Sequence, residues 1–264
     1  MNADGTVVSI VSTTFDQGQG LSGENHVDVY AWTGSAWAKR GAPLVGDDAF
    51  GSVAAKISHD AATLAVLGAS GSEGTTKGYV RLYTWTGSQY VAWGQDTPVV
   101  SATAADSLGG FDLSGDGSTV AVGTWASSWD ANVPGRVGVY DMANGGAVAY
   151  IDGETAGDES GYACKLNADG TVVVIGAIGN DASSDEDEDY GHARVHKKQA
   201  DGTWAKVGQD LDGEDSNGCF GSGVAINDAG DGENIIVGVG AFQGDAASGV
   251  EDTGLARMFL LEQD

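Results

Sequence analysis

Short apolar runs separated by turns of small polar residues recur along the whole chain. In the clearest copy, Leu166 ends one run, residues 167–170 (Asn-Ala-Asp-Gly) form the turn, and a second apolar run extends from Thr171 to Ala177. Four related segments have the end of their first run, or their turn, at Asn2, Ile57, Leu113 and Ile226. The copies follow one another at intervals of about 50 to 60 residues, a period typical of propellers and other repeat arrays.

Each repeat is long enough for four strands. In the copy from Gly161 to Asp210, period-two alternation and glycine turns predict strands over 161–166, 171–177, 191–197 and 203–208. The chain has 43 glycines in 264 residues and no sustained helical spacing, which argues against long helices. Four antiparallel strands in about 50 residues are typical of a propeller blade.

The sequence therefore predicts an all-β fold, a β-propeller of about five four-stranded blades. A fragment of a seven-bladed propeller is the alternative. A single propeller-like domain is expected over residues 1–264, with repeat units at approximately 1–57, 58–113, 114–166, 167–226 and 227–264.

The charge balance narrows the range of partners. The chain carries 12 basic and 38 acidic residues, a formal net charge of −26. Nucleic acid is not expected as a partner, because phosphate binding needs a basic face. Membrane insertion is not expected either, since no stretch approaches the roughly 18 apolar residues of a membrane span. The acidity fits a solvated surface, and it also fits a protein that binds divalent cations.

Two short motifs carry a resemblance to a known repeat. An "FG" element occurs as Phe50-Gly51-Ser52-Val53-Ala54 and again over 220–225, and Gly-Ala pairs occur at 68–69, 176–177 and 240–241 without a following proline. In this order the units resemble FG-GAP-type repeats, the blades of integrin alpha-subunit propellers and of repeat proteins from marine microbes and algae.

The resemblance implies that the FG strand is the innermost strand of each blade. In that frame the chain begins at the second strand of a first blade and ends after the third strand of a fifth, which indicates a protein partner or a longer parent chain. The function it implies is a non-enzymatic structural or adhesion module that mediates protein–protein contacts. Such a module is expected outside the cell or at the cell surface, with Ca²⁺ as a stabilising ion.

Two acidic segments are candidate calcium sites, because calcium takes six to eight oxygen ligands. The first is the run 181–189, in which Asp181, Asp185, Asp187 and Asp189 could supply carboxylates. It lacks the glycine of integrin-type calcium loops, so a solvated loop is the alternative. The second candidate follows the first strand of the last repeat and contains Asn227, Asp228 and Asp231. An ordinary turn is the alternative there.

The third repeat contains a candidate carbohydrate site. Trp125 and Trp129 are predicted to lie in a loop between strands, where they could stack on a sugar ring while Asp130 and Asn132 bind its hydroxyls. Packing of the two indoles on a neighbouring blade is the alternative. A lectin-like, glycan-binding propeller is therefore the alternative function.

No residue pattern supports catalysis. The segments 152–154 and 212–214 both read Asp-Gly-Glu and resemble the paired carboxylates of a glycosidase, but a feature that recurs in successive repeats favours a scaffold role. The sequence shows no nucleophile elbow, phosphate loop or Cys/His metal spacing. From this we expect that the chain is not an enzyme and has no catalytic residues.

Overall fold

The strands in the described part of the chain form five antiparallel sheets. This computed structural model describes residues 1–12, 26–45, 53–70, 77–99, 106–126, 133–180, 189–227, 234–244 and 254–262. Within these ranges there is no α-helix, and no helix is long and apolar enough to cross a membrane. The all-β prediction is confirmed.

The first sheet contains β1 (Val7–Ser12), β2 (His26–Trp32), β3 (Trp37–Lys39) and β4 (Leu44–Val45). The second contains β5 (Val53–Ile57), β6 (Thr63–Ser70), β7 (Lys77–Trp85) and β8 (Tyr90–Val99). The third contains β9 (Asp106–Leu113), β10 (Thr119–Ala126), β11 (Arg136–Asp141) and β12 (Ala147–Asp152). The fourth contains β13 (Ser160–Leu166), β14 (Val172–Ala177), β15 (His192–Lys198) and β16 (Trp204–Asp212). The fifth contains β17 (Phe220–Ile226), β18 (Asn234–Ala241) and β19 (Leu255–Glu262).

The chain divides into two compact units. Unit 1 comprises Met1–Val100 with Gly115–Gly117 and holds the first two sheets, and unit 2 comprises Ser101–Ser114 with Ser118–Asp264 and holds the other three. The prediction of a single domain over the whole chain stays a prediction.

One hydrogen bond recurs in the turn between the first two strands of each repeat. In the fourth sheet, the amide of Val172 donates to Oδ1 of Asn167 over 2.9 Å. The side-chain oxygens of Asn2, Ser58, Ser114 and Asn227 accept in the same way from the amides of Val7, Thr63, Thr119 and Ile236. A short polar side chain that satisfies a backbone amide holds such a turn. The recurring small-residue turns are therefore structural.

Unit 2 is held together by apolar side chains between successive sheets. All six residues of β14 are buried, because this strand lies between two neighbouring sheets. One of its faces packs with Val137, Val139 and Ile151 of the third sheet. Its other face packs with Ile235 and other apolar residues of the fifth sheet. This two-sided burial explains why the strand has β-branched residues at successive positions.

Glycines allow the sheets of unit 2 to approach closely. A Cβ atom added to Gly176 in β14 would lie 2.0 Å from the carbonyl oxygen of Gly221 in β17. In the same way, a Cβ atom on Gly123 in β10 would lie 1.9 Å from the carbonyl oxygen of Gly161 in β13. Gly161 and Gly221 have left-handed φ values of 95° and 98°. In both cases a glycine in the second strand of one sheet thus makes room for the carbonyl group of a left-handed glycine, which is the second residue of the first strand of the next sheet.

Candidate functional site

The fifth sheet has one covered face and one open face. Ile235, Val237 and Val239 are buried against the fourth sheet. On the opposite face, the side chains of Ile236, Met258 and Leu260 are 38%, 71% and 55% exposed. Along its middle, the open face carries only apolar residues and glycines: Gly223, Ala225, Ile236, Gly238, Gly240, Ala256, Met258 and Leu260. The polar residue Asn234 lies on the same face at the start of β18. Within the described residues of unit 2, no further sheet packs on this face.

A groove lies at one end of the open face. Its volume is about 590 Å³, and Gly240, Phe242 and Ala256 contribute to its lining together with Tyr162 of β13. Phe242 is 54% exposed beside it. Contiguous exposed apolar surface of this kind marks interaction sites in proteins that otherwise keep such residues covered.

The open face carries glycines at the positions where, in the third and fourth sheets, a strand of the next sheet packs closely against a glycine. Gly240 precedes an alanine in β18 just as Gly176 does in β14, but a Cβ atom on Gly240 would have nothing closer than a carbonyl oxygen at 3.7 Å. Gly223 and Gly110 each lie three residues before the end of a first strand. A Cβ atom on Gly110 would lie 2.2 Å from the amide nitrogen of Cys164, and on Gly223 it would meet nothing within 4 Å.

The two Asp-Gly-Glu loops form ion pairs between neighbouring sheets. Glu154 pairs with Arg194 of β15 at 3.2 Å, and Glu214 pairs with Arg257 of β19 at 2.7 Å. Arg194 also donates to the carbonyl oxygen of Asp152. The recurring glutamates therefore hold a strand of the next sheet, which accounts for their repetition.

A cluster of two carboxyls and a thiol lies where the loops before β13 and β17 meet the end of the acidic run. Glu159 and Cys219 occupy the equivalent position before these two strands, and both have left-handed backbones, with φ of 56° and 53°. The amide of Cys219 donates to the carbonyl oxygen of Asp189. Cys219 is a partly exposed free thiol, whereas the other free thiol, Cys164, is buried.

Burial raises the pKa of all three groups, and neighbouring charges add to the shifts of Glu159 and Cys219. Burial, together with the charge of Asp189, raises the pKa of Glu159 to about 7, and burial raises the pKa of Asp189. Burial raises the pKa of the Cys219 thiol, and the charges of Asp189 and Glu159 raise it further. The sequence shows no motif here. The only signal is that Glu159 and Cys219 hold the same place in successive repeats.

This arrangement makes a prediction for thiol reactivity. Glu159→Gln removes a negative charge beside Cys219, so the pKa of the thiol should fall and its alkylation at pH 8 should become about twofold faster or more, because the thiolate is the nucleophile. Iodoacetamide labelling of Cys219, followed by peptide mass spectrometry across pH, measures this. Glu214→Gln, at an acid that pairs with Arg257, is the control. An unchanged rate in Glu159→Gln would show that the two groups are not coupled.

The predicted calcium ligands fall largely outside the described residues. Asp181, Asp185 and Asp187 lie in the range 181–188, and Asp228 and Asp231 lie in the range 228–233. Asp189 belongs to the cluster above, and Asn227 uses its side chain within its own turn, since Nδ2 donates to the carbonyl oxygen of Asn234. Among the described residues, no three His, Cys, Asp or Glu side chains are placed to hold a metal. Calcium binding stays a prediction.

The predicted sugar-binding tryptophans are only partly described. The loop assignment of Trp125 is wrong, because β10 continues through Ala126 and Trp125 pairs with Ser107 of β9. The indole of Trp125 contacts Tyr162 of β13 with ring centroids 5.3 Å apart, so it packs on the neighbouring sheet. Trp129, Asp130 and Asn132 lie outside the described residues. The carbohydrate site stays a prediction.

Several solved structures share this fold. Hydrazine synthase from Kuenenia stuttgartiensis matches with a TM-score of 0.58 and 13% identity, over 99% of this chain and 71% of that chain. The β-propeller domain of the Trilobed protease from Pyrococcus furiosus, described as having an open velcro topology, matches with a TM-score of 0.55 and 10% identity, over 98% and 68%. Periplasmic gluconolactonase from Pseudomonas aeruginosa matches with a TM-score of 0.54 and 14% identity, over 96% and 69%.

These likenesses place the chain in the β-propeller fold class, so that prediction is confirmed. No protein-family model and no curated protein matches the sequence. The more specific likeness to FG-GAP repeats is thus not carried by these comparisons.

The conclusion that the chain is not an enzyme is wrong. Hydrazine synthase and gluconolactonase are enzymes built on the same fold, so the absence of a familiar catalytic motif does not exclude catalysis here. At 13% and 14% identity the likeness shows the fold alone, and neither activity is transferred to this chain.

Proposed function

We propose that this chain is a structural or adhesion module that makes protein–protein contacts, outside the cell or at the cell surface. The open face of β17–β19 is the observation that carries the proposal. Its three large side chains, Ile236, Met258 and Leu260, are exposed together on one sheet surface. Covering a side chain of this size stabilises a complex by about 1.5–3 kcal/mol before the costs of association are counted.

The resemblance of the repeats to FG-GAP blades supports an adhesion role and a location at or beyond the cell surface. The net charge of −26 adds a constraint on the partner. Like-charged surfaces repel one another unless salt or bound cations reduce the charge, so a less acidic partner is favoured. Calcium at the acidic segments 181–189 and 227–231 belongs to this proposal, since weak calcium sites are typical of extracellular modules.

Site-specific photocrosslinking tests the proposal. A benzophenone amino acid replaces Met258 on the open face, and in the control it replaces Ile10, which is 49% exposed in β1. Intact cells of the source organism are first labelled with a membrane-impermeant biotin reagent and then illuminated with the added protein. We expect a defined protein adduct from position 258 that carries biotin, and none from position 10. Equal adducts from both positions, or none from position 258, would contradict a contact role for the open face, and adducts without biotin would contradict the surface location.

A further inference from the structure

A cavity lies between the third and fourth sheets, both of which belong to unit 2. Its volume is about 210 Å³, and its walls include Val139, Asp141, Ala147, Ala149, Lys198 and Trp204. Thr119, the first residue of β10, also lines the cavity, which therefore lies at the opposite end of this strand from Trp125. Pockets for drug-sized ligands begin at roughly 300 Å³, so this cavity has room for a ligand with one ring.

The fourth sheet contributes an indole and an ammonium group to one wall of the cavity. Lys198 of β15 lies directly opposite Trp204 of β16, so their side chains project from the same face of the sheet. Trp204 is partly buried and packs against the apolar cluster that contains Val137 and Val139 of the third sheet. The face that carries Lys198 and Trp204 is therefore the one that faces the third sheet.

The third sheet contributes the opposite wall, in which small side chains dominate. Asp141 of β11 lies opposite Ala147 of β12, and Val139 lies opposite Ala149. Val139 belongs to the cluster on which Trp204 packs, so these four residues project toward the fourth sheet. Two alanine methyl groups, which are short, therefore stand across the cavity from the indole and leave space in front of it.

In unit 1 a larger side chain fills the corresponding space. Trp85 and Tyr90 lie opposite one another in the second sheet, as Lys198 and Trp204 do in the fourth. The guanidinium carbon of Arg40, which follows β3 of the first sheet, lies 4.3 Å from the centre of the Trp85 ring and 5.8 Å from that of Tyr90. The cavity in unit 2 is therefore a departure from the packing of unit 1.

A carboxylate and an ammonium group stand side by side in the cavity. Oδ2 of Asp141 lies 3.4 Å from Nζ of Lys198, and the backbone and side-chain amides of Asn144 also donate to the carboxyl group of Asp141. The hydrogen bonds from Asn144 lower the pKa of Asp141, which is therefore ionised at neutral pH. A carboxylate has about four acceptor sites and an ammonium group has three donors, so both groups can bind a ligand as well.

This combination matches a neutral sugar ring. The C–H groups on one face of such a ring can pack on the indole of Trp204, and each hydroxyl can donate to Asp141 or accept from Lys198. An anionic ligand would be repelled by Asp141 and by the net charge of −26. A cationic ligand would be repelled by Lys198, which already pairs with Asp141.

We infer that the cavity between the third and fourth sheets binds a neutral sugar ring, which packs on Trp204 and forms hydrogen bonds with Asp141 and Lys198. The inference goes beyond the proposed function, because this cavity is separate from the open face of the fifth sheet. A sugar site here also differs from the one predicted at Trp125 and Trp129, since it uses other residues at the other end of β10.

Fluorine NMR of the whole chain, with 5-fluorotryptophan in place of tryptophan, tests the inference. The signals of Trp204 and Trp37 are assigned from Trp204→Phe and Trp37→Phe variants. Trp37 is the internal control, since it begins β3 as Trp204 begins β16 and is 45% exposed. The probes are the methyl glycosides of glucose, galactose, mannose and N-acetylglucosamine. We expect at least one of them to shift the Trp204 signal saturably, with a Kd on the order of 1 mM, and to leave the Trp37 signal in place.

Two substitutions are expected to change the binding of the sugar. Ala149→Leu fills the cavity, so the shift of the Trp204 signal should disappear. Lys198→Met removes a charged donor from the wall, so the Kd should rise about tenfold. Lys197→Met is the matched control, because the side chain of Lys197 projects from the other face of β15, and it should leave the Kd unchanged.

The absence of a saturable shift of the Trp204 signal with all four glycosides would overturn the inference. An equal shift in Ala149→Leu and in the original chain would also overturn it, because the sugar would then bind outside the cavity. Leucine is tested as a further probe. A saturable shift with this zwitterion and with none of the sugars would overturn the sugar class, since the carboxylate and ammonium groups would then recognise an amino acid.

Discussion

Gly176→Ala is expected to destabilise unit 2 by about 3 kcal/mol or more, whereas Gly240→Ala should leave the free energy of unfolding within about 0.5 kcal/mol of the original. The same substitution is made at the same position of two successive sheets. At Gly176 the new Cβ atom would lie 2.0 Å from the carbonyl oxygen of Gly221, which belongs to the backbone of the next sheet and cannot rotate away. At Gly240 its nearest neighbour would be an oxygen at 3.7 Å, an ordinary contact.

The free energy of unfolding of unit 2 is measured for the two variants by urea unfolding, followed through hydrogen exchange of the β14 and β18 amides. Gly123→Ala is the second positive case, since its Cβ atom would lie 1.9 Å from the carbonyl oxygen of Gly161. Equal free energies of unfolding for Gly176→Ala and Gly240→Ala would show that β14 and β17 can move apart with no measurable loss of stability.

The sequence predicts the repeat and its turns well, because both depend on local chemistry. The side chains of Asn2, Ser58, Ser114 and Asn167 each accept a hydrogen bond from a backbone amide five residues further on, so these turns are encoded in a short segment. The equivalent bond of Asn227 spans nine residues. The sequence does not predict the fourth strand of the third sheet, β12. Only Ile151 is buried in it, so its alternation of apolar and polar residues is weak.

The candidate site could not be predicted in the same way. The sequence shows that Gly176 and Gly240 each precede an alanine. Only the structure shows that a carbonyl group of the next sheet lies against Gly176, whereas no carbonyl group approaches Gly240 as closely. The cluster of Glu159, Asp189 and Cys219 depends on loops that are distant in sequence, and its shifted ionisation depends on burial there. The sequence predicts a loop at Trp125, whereas in the structure β10 continues through this residue.

Acid should destabilise unit 2 through two buried histidines. His192, Arg194 and His196 lie on one face of β15 and are 2%, 5% and 7% exposed. Burial, followed by the positive charges of Arg194 and Lys206, lowers the pKa of His196 to about 4. Burial and Arg194 also lower the pKa of His192, against the opposing charges of Asp158, Asp210 and Glu154. Nδ1 of His196 and Nε2 of His192 have no hydrogen-bond partner among the described residues.

A histidine whose pKa is lower in the folded state stays neutral there while the unfolded chain takes up a proton. Stability is therefore fully present above the unfolded pKa of 6.5 and is lost as the pH falls from 6.5 to about 4. For His196 the loss amounts to about 3 kcal/mol. His196→Gln cannot take up this proton, so its free energy of unfolding should fall less steeply between pH 6.5 and 4. Urea unfolding at several pH values measures the slope, and His26→Gln is the control for losing one histidine.

Glu159 acts in the opposite direction over an overlapping range. Its pKa rises from 4.5 to about 7 on folding, so its contribution to stability is lost as the pH rises between these values. Solvent reaches part of this side chain, which reduces the effect below that of His196. The two contributions partly cancel in the original chain, so its stability should vary less with pH than that of Glu159→Gln, in which the opposing contribution of Glu159 is missing. If Glu159→Gln and His196→Gln both follow the original curve, the buried charges of unit 2 do not govern its response to acid.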